Sequence, residues 1–141
     1  MSGDLEIGCA KQPHFRGVRL DIDKQVGMED FVQGSGYQLP FKAKTFDWVE
    51  CIHTLEHFDD PLKLLREIRR VSKFGMEIRV PWKFFAWGCK DHKCSFTADW
   101  FRKVFPREFV TSEHHLLFGH YALVFLELVV RIEWNRKKTL S

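Results

Sequence analysis

Nineteen residues near the start of the chain, Leu5 to Asp23, restrict the fold more than any other stretch. A short apolar run broken by Glu6 stops at Gly8. A loop-like link carrying Pro13 and Gly17 follows, and a second run, Val18 to Ile22, closes on Asp21. Two short strands joined through a glycine, the second ending in a carboxylate, make a cleft at the C-terminal edge of a parallel sheet. That edge is where open α/β sheets bind ligands. Gly8 brings backbone close to a ligand with no Cβ in the way. Asp21 points at whatever lies across the strand ends, and its carboxylate can accept from both hydroxyls of a ribose.

Further along, strand and helix signals alternate. Phe31 and Val32 read as a brief third strand ending at Gly34, and Pro40 with Lys42 to Thr45 as a loop. Phe46 to Ile52 reads as a fourth strand, with Trp48 and Val49 suiting burial on both faces. Asp59 and Asp60 before Pro61 mark a helix start. Leu62, Leu65, Ile68 and Val71 give that helix an apolar stripe. Arg66, Arg69 and Arg70 fall on its opposite, solvated face, and Gly75 stops it. Met76 to Val80 is a fifth strand halted by Pro81. Thr97 caps a short helix over Ala98 to Val104. Phe109 to Leu117 and Tyr121 to Glu133 read as a hairpin turning near Gly119. This alternation, ending in a hairpin, indicates a mostly parallel sheet with an antiparallel edge.

With 141 residues the chain has room for one domain with a real core. Residues 1–81 form the expected ligand-binding half, and 82–141 an acceptor-side loop, helix and hairpin. A net charge of +3 does not by itself argue for nucleic acid. Asp4 and Glu6 stand where a signal peptide needs a basic and then apolar stretch, and Ala122 to Val130 is too short to span a bilayer. The expected location is the cytoplasm, away from membranes, with Cys9, Cys51, Cys89 and Cys94 as free thiols.

Several motifs lie in an order that resembles the class I S-adenosylmethionine-dependent methyltransferases, of the small, methyltransferase type 11-like kind. LEIGCA (Leu5 to Ala10) resembles their glycine-rich first motif, and LDID (Leu20 to Asp23) the acidic end of their second strand. GSGYQLPF (Gly34 to Phe41) resembles the adenine-side loop. FDWVECIHTLEHFDDP (Phe46 to Pro61) resembles the fourth strand and its loop, and REIRRVSKFGMEIRVP (Arg66 to Pro81) the helix and fifth strand that follow. The resemblance covers Leu5 to Pro81 and implies a Rossmann-like, mostly parallel seven-stranded sheet of order 3-2-1-4-5-7-6, strand seven antiparallel, here with reduced N-terminal helices. It implies S-adenosylmethionine as cofactor and methyl transfer to a small-molecule acceptor.

Residue by residue, the resemblance places Gly8, Cys9 and Ala10 at the methionine portion of the cofactor and Asp21 on the ribose, with Glu6 also among the cofactor-binding residues. Ile22, Ser35, Gly36, Tyr37 and Leu39 fall at the adenine end, and Cys51, Ile52 and His53 at the reacting end. His53 and His57 are the candidate catalytic bases, histidine being the side chain whose ordinary pKa lies near neutrality. Ala10 stands where a second glycine is usual, which leaves open a degenerate domain that binds without turnover. RNA methylation through the basic helix and tail also stays open, although CIHT replaces the Asn/Asp-Pro-Pro-Tyr signature of amino-group nucleic-acid methyltransferases. Cys89, His92 and Cys94, with His114 and His115, have partial zinc-ligand spacing, but no paired CxxC accompanies them and no metal is expected. Trp82, Phe84, Phe85 and Trp87 are expected to wall the acceptor site. These aromatics, or a second subunit in a homodimer, would also cover the sheet face left bare by the reduced helices.

Overall fold

A computed structural model describes residues 3–8, 17–23, 30–81, 93–118 and 124–134. The expected aromatic wall at 82–92 lies outside the described residues, as do Cys9, Ala10, Cys89, His92 and the basic tail. Seven strands form one sheet: β1 (Asp4–Ile7), β2 (Val18–Asp21), β3 (Phe31–Gln33), β4 (Phe46–Ile52), β5 (Ser72–Pro81), β6 (Phe109–Phe118) and β7 (Val124–Glu133). Their spatial order is β3-β2-β1-β4-β5-β7-β6. The first five pair in parallel. β7 runs antiparallel to both β5 and β6. This is the order that the family resemblance implied.

Between β4 and β5 lie a single 3-10 turn (Leu55–His57) and helix α1 (Pro61–Val71); α2 (Ala98–Val104) precedes β6. Both helices begin as the sequence indicates. The Asp60 carboxylate accepts from Lys63 N, with Pro61 in the first turn, and the Thr97 hydroxyl accepts from Trp100 N. Each cap satisfies a backbone donor that a helix start leaves without a partner. Leu64, Leu65, Ile68 and Val71 of α1 and Phe101 of α2 join Leu5, Val49, Cys51, Met76, Ile78, Leu128, Val130 and Ile132 in one core.

Four expectations require correction. α1 buries Leu64, while Leu62 is 40% exposed, because Leu64 shares its face with Ile68 and Val71 four and seven residues on. The helix ends at Val71, and β5 starts at once, at Ser72. Gly75 is therefore a strand residue and caps nothing. A Cβ there would collide with the Ile132 carbonyl on β7 and with the Trp48 ring on β4. The glycine lets three strands pack, and Ser72 is held by the Trp134 indole, whose Nε1 donates to its hydroxyl at 3.0 Å.

β4 is buried on one face only: Val49 and Cys51 lie in the core, while Trp48, Glu50 and Ile52 are half-buried on the other side. The arginine face of α1 is not simply solvated. Arg70 donates to the carbonyls of Phe41 (2.7 Å) and Leu39 (3.0 Å) and to Glu67, whose carboxylate accepts from Leu39 N at 2.8 Å. Arg69 pairs with Glu108 and lies over the Trp134 ring.

The sheet face away from the helices carries a charged row in register: Arg19, Glu6, Glu50, Glu77 and Arg131, one from each of β2, β1, β4, β5 and β7. Arg131 bridges Glu77 (2.6 Å) and Glu113 (3.0 Å). Glu6 is almost wholly buried, with Arg19 Nε 3.8 Å away. Burial outweighs the pull of Arg19 and, with Glu50 adding repulsion, pushes the Glu6 carboxyl up to about 7. Glu50 is also raised, first by burial and then by Glu77.

Two outcomes follow from this packing. Gly75→Ala should destabilise the protein by roughly 1–3 kcal/mol, as overpacking typically does, read as a lower urea midpoint. Because the folded protein holds a proton on Glu6 that the unfolded chain releases, its contribution is greatest below the ordinary value of 4.5. It is lost as pH rises through about 7. Melting temperature should fall across that window, and Glu6→Gln should flatten the fall. An unchanged slope in the variant contradicts the assignment.

Candidate active site

The C-terminal ends of β1, β2 and β4, with the loop after β3, enclose a cavity of about 480 Å³. That lies within the range of small-molecule sites. Ile7, Gly8, Leu20, Asp21, Ile22 and Asp23 line one side. Gly34 to Tyr37 line a second, and His53, Thr54, His57, Phe58, Asp59 and Lys93 complete it.

Gly8 follows β1 with φ +76°, a left-handed bend that glycine enters without cost. A Cβ at this position would overlap the Thr54 hydroxyl. Thr54 is fixed in turn by donating to the Ile52 carbonyl at 2.8 Å. The Gly8 N–H already donates to the Leu20 carbonyl at 2.9 Å. The bend therefore offers no donor of its own; it makes room for Thr54 at the cavity wall.

Asp21 ends β2 at the cavity wall, where its Oδ1 accepts from Asp23 N at 3.0 Å. Ile22 follows it, 67% exposed and lining the cavity. The opposite wall is the turn after β3. Gly34 N donates to the Asp21 carbonyl, tying that turn to β2, and the Ser35 hydroxyl accepts from Tyr37 N. The Tyr37 hydroxyl accepts from Asp59 N and Asp60 N, its ring meets Phe58 edge-on at 4.8 Å, and Lys63 sits above it. Tyr37 thus pins this wall to the start of α1. The Glu67–Arg70 pair grips the same loop two residues further on, at Leu39 and Phe41.

His53 leaves β4 with φ +47°, uncommon for a residue with a side chain. Its N–H donates to the Arg79 carbonyl at 2.8 Å. Its Nε2 donates to Glu127 Oε1 at 2.8 Å, and Nδ1 lies 3.7 Å from Glu56 Oε1, an ion-pair approach longer than a hydrogen bond. The two carboxylates are 3% and 1% exposed. Glu127 first, then Glu56, raise the imidazole to about 9 against the opposing effect of burial. Both carboxylates therefore favour the protonated form of the His53 ring.

Gly8, Asp21, Ile22, Ser35, Gly36, Tyr37, His53 and His57 all reach one cavity. Glu6, Leu39, Cys51 and Ile52 do not line it. Glu6 faces Arg19 on the far side of the sheet, and Ile52 shares that half-buried side of β4. Leu39 and Cys51 are core residues, and burial holds the Cys51 thiol far above the usual range. Cys9 and Ala10 lie outside the described residues. Thr54, Phe58, Asp59 and Lys93 reach the cavity without having been read as site residues, and Glu56 and Glu127, which do not line it, stand behind His53. Thr54 and Phe58 sit inside the quoted fourth-strand motif, so a turn after Ile52 was a usable signal for them. Glu127 is marked locally only as the charge that interrupts the apolar run Ala122 to Val130, which does not say what it pairs with.

Among the described residues no helix is long and apolar enough to cross a membrane. YcgJ of Bacillus subtilis, an uncharacterised methyltransferase, is 33% identical over 69 residues, 48% of this chain and 27% of that protein. Its crystal structure superposes with a TM-score of 0.71, covering 95% of this chain and 92% of the crystallised one. Identity over that whole superposition is 14%, so the likeness in sequence is concentrated in the shorter stretch. An uncharacterised methyltransferase of Schizosaccharomyces pombe is 34% identical over 97 residues, 68% of this chain and 28% of that protein. Norajmaline N-methyltransferase of Rauvolfia serpentina is 35% identical over 78 residues, 53% of this chain and 24% of that enzyme. The chain thus matches about a quarter of the length of its curated relatives. Residues 6–77, just over half of the chain, match the model of the methyltransferase domain family and run from Glu6 in β1 to Glu77 in β5; the chain belongs to that family.

Proposed function

We propose that this protein transfers a methyl group from S-adenosylmethionine to a small-molecule acceptor. The observation that carries the reading is one cavity bounded by a left-handed glycine bend, a strand-end carboxylate and a serine–glycine–tyrosine turn. The fit to the cofactor rests on the Asp21 carboxylate at the strand end and on the Gly8 bend, which seats Thr54 against β1 and which a side chain would disrupt.

When bound, the cofactor supplies a sulfonium that makes its methyl group electrophilic. The chain's own work is to bind, orient and exclude water. Asp21 would accept from ribose hydroxyls, a charge-assisted pairing stronger than a neutral one. Ile22 and the Ser35–Tyr37 turn would enclose the adenine end, and the Gly8 bend would leave room for the methionine portion. His53, Thr54 and His57 would lie at the reacting end, where the acceptor is held.

Isothermal titration with S-adenosylmethionine tests this directly. The wild-type protein should bind, and Asp21→Asn should weaken binding roughly tenfold or more, the equivalent of about 1.5–3 kcal/mol for a hydrogen bond to a charged group. Gly8→Ala should abolish measurable binding and cost roughly 1–3 kcal/mol of stability for a side chain held at positive φ. No heat from the folded wild-type protein at millimolar cofactor refutes the proposal.

A further inference from the structure

His53 is reached by acidic side chains from two separate elements. Glu127 comes from the middle of β7 and Glu56 from the 3-10 turn. On β6, His115 Nδ1 lies 3.9 Å from Glu127 Oε2, and His115 Nε2 lies 3.3 Å from Glu113. β5 contributes the Arg79 carbonyl to the His53 N–H, while the Arg79 guanidinium is turned to Glu77 at 2.6 Å. Carboxylates therefore face both ring nitrogens, Glu127 at hydrogen-bond distance and Glu56 at ion-pair distance. The His53 side chain is still 39% exposed and lines the cavity, whereas Glu127 is buried and does not.

The geometry points to Glu127 as a positioning residue that acts through His53: it orients the imidazole by Nε2 and, with Glu56 facing Nδ1, favours the doubly protonated ring, so that His53 serves the cavity as a fixed cation. This rests on the methyl-transfer reading for its purpose but not for its test. A ring whose two nitrogens both carry protons toward carboxylates has no lone pair with which to take a proton from an acceptor. His53 is thereby removed as a general base near neutrality, and its charge is available to an anionic group of cofactor or acceptor. The upward shift of its pKa to about 9, with Glu127 the first cause, agrees with the geometry. The same pair also ties the end of β4 to β7, so the wall of the cavity is fixed from the hairpin side.

The test is a pH titration of cofactor-free protein labelled with 15N-histidine, His53 being assigned by its loss in His53→Gln. In the wild type His53 should keep both protons past neutrality, with a midpoint near 9. Glu127→Gln, which keeps the shape and removes the charge, should lower that midpoint by about one unit or more toward the ordinary histidine value. Glu56→Gln should lower it by less. A wild-type midpoint near 6.5 overturns the proposal, and this arm stands even if Glu127→Gln fails to fold. So does a larger shift from Glu56→Gln than from Glu127→Gln, or no shift in a folded Glu127→Gln protein. Cofactor titration of the same samples reports separately on the methyl-transfer reading, so either conclusion can fail without the other.

Discussion

The close contact between the Gly8 bend and Thr54 governs the rest of the site. β1 and β4 are neighbours, and both chains must turn at the same level of the sheet. There is room for that only because residue 8 lacks a Cβ and can take a positive φ. Thr54 fills the place a side chain would occupy and is anchored to β4 through the Ile52 carbonyl. With the two turns interlocked, Asp21 on one side and His53 on the other face the same cavity. A looser meeting of strand ends would leave these groups on separate loops, each with its own freedom.

The cavity is braced from two directions that use different physics. On the β3 side, neutral and charged hydrogen bonds hold a short loop: Tyr37 caps the entry to α1, and the Glu67–Arg70 pair holds the backbone at Leu39 and Phe41. Glu67 is lowered from its ordinary value, first by Arg70, and so stays charged in that role. On the β4 side the brace is ionic and better shielded, with His53 between two carboxylates that are nearly out of solvent. Coulomb attraction at such distances is much stronger away from water.

What the sequence disclosed divides along local and distant lines. Helix starts at Asp60 and Thr97 were legible because an N-cap side chain and the backbone N–H that donates to it lie within one turn. Phe46 to Ile52 was legible as an unbroken β-prone run, and the strand order came from the family resemblance rather than from periodicity. The end of α1 was misread because glycine has two uses. Its role at 75 depends on Trp48 and Ile132, neither of them near it in the chain. Leu39, Cys51, Glu6 and Ile52 fell within quoted motifs, yet a motif does not say which way each side chain turns. Leu39 and Cys51 turn to the core, Glu6 and Ile52 to the half-buried side. The role of Glu127 was invisible for the strongest reason: its partner is 74 residues away, and only the pairing of β7 with β5 brings them together.

The insertion of β7 between β5 and β6 also has a consequence for how the molecule is made. Among the described residues β6 pairs with the sheet only through β7, so neither can be seated until β7 has been synthesised. The parallel strands can assemble earlier from neighbouring segments, whereas the antiparallel edge waits for β7, a non-local closure of the kind that slows folding. During synthesis His53 would therefore be present without Glu127, and β5 would expose an unpaired edge open to wrong partners. The nascent chain thus carries a window of vulnerability that closes only when β7 arrives.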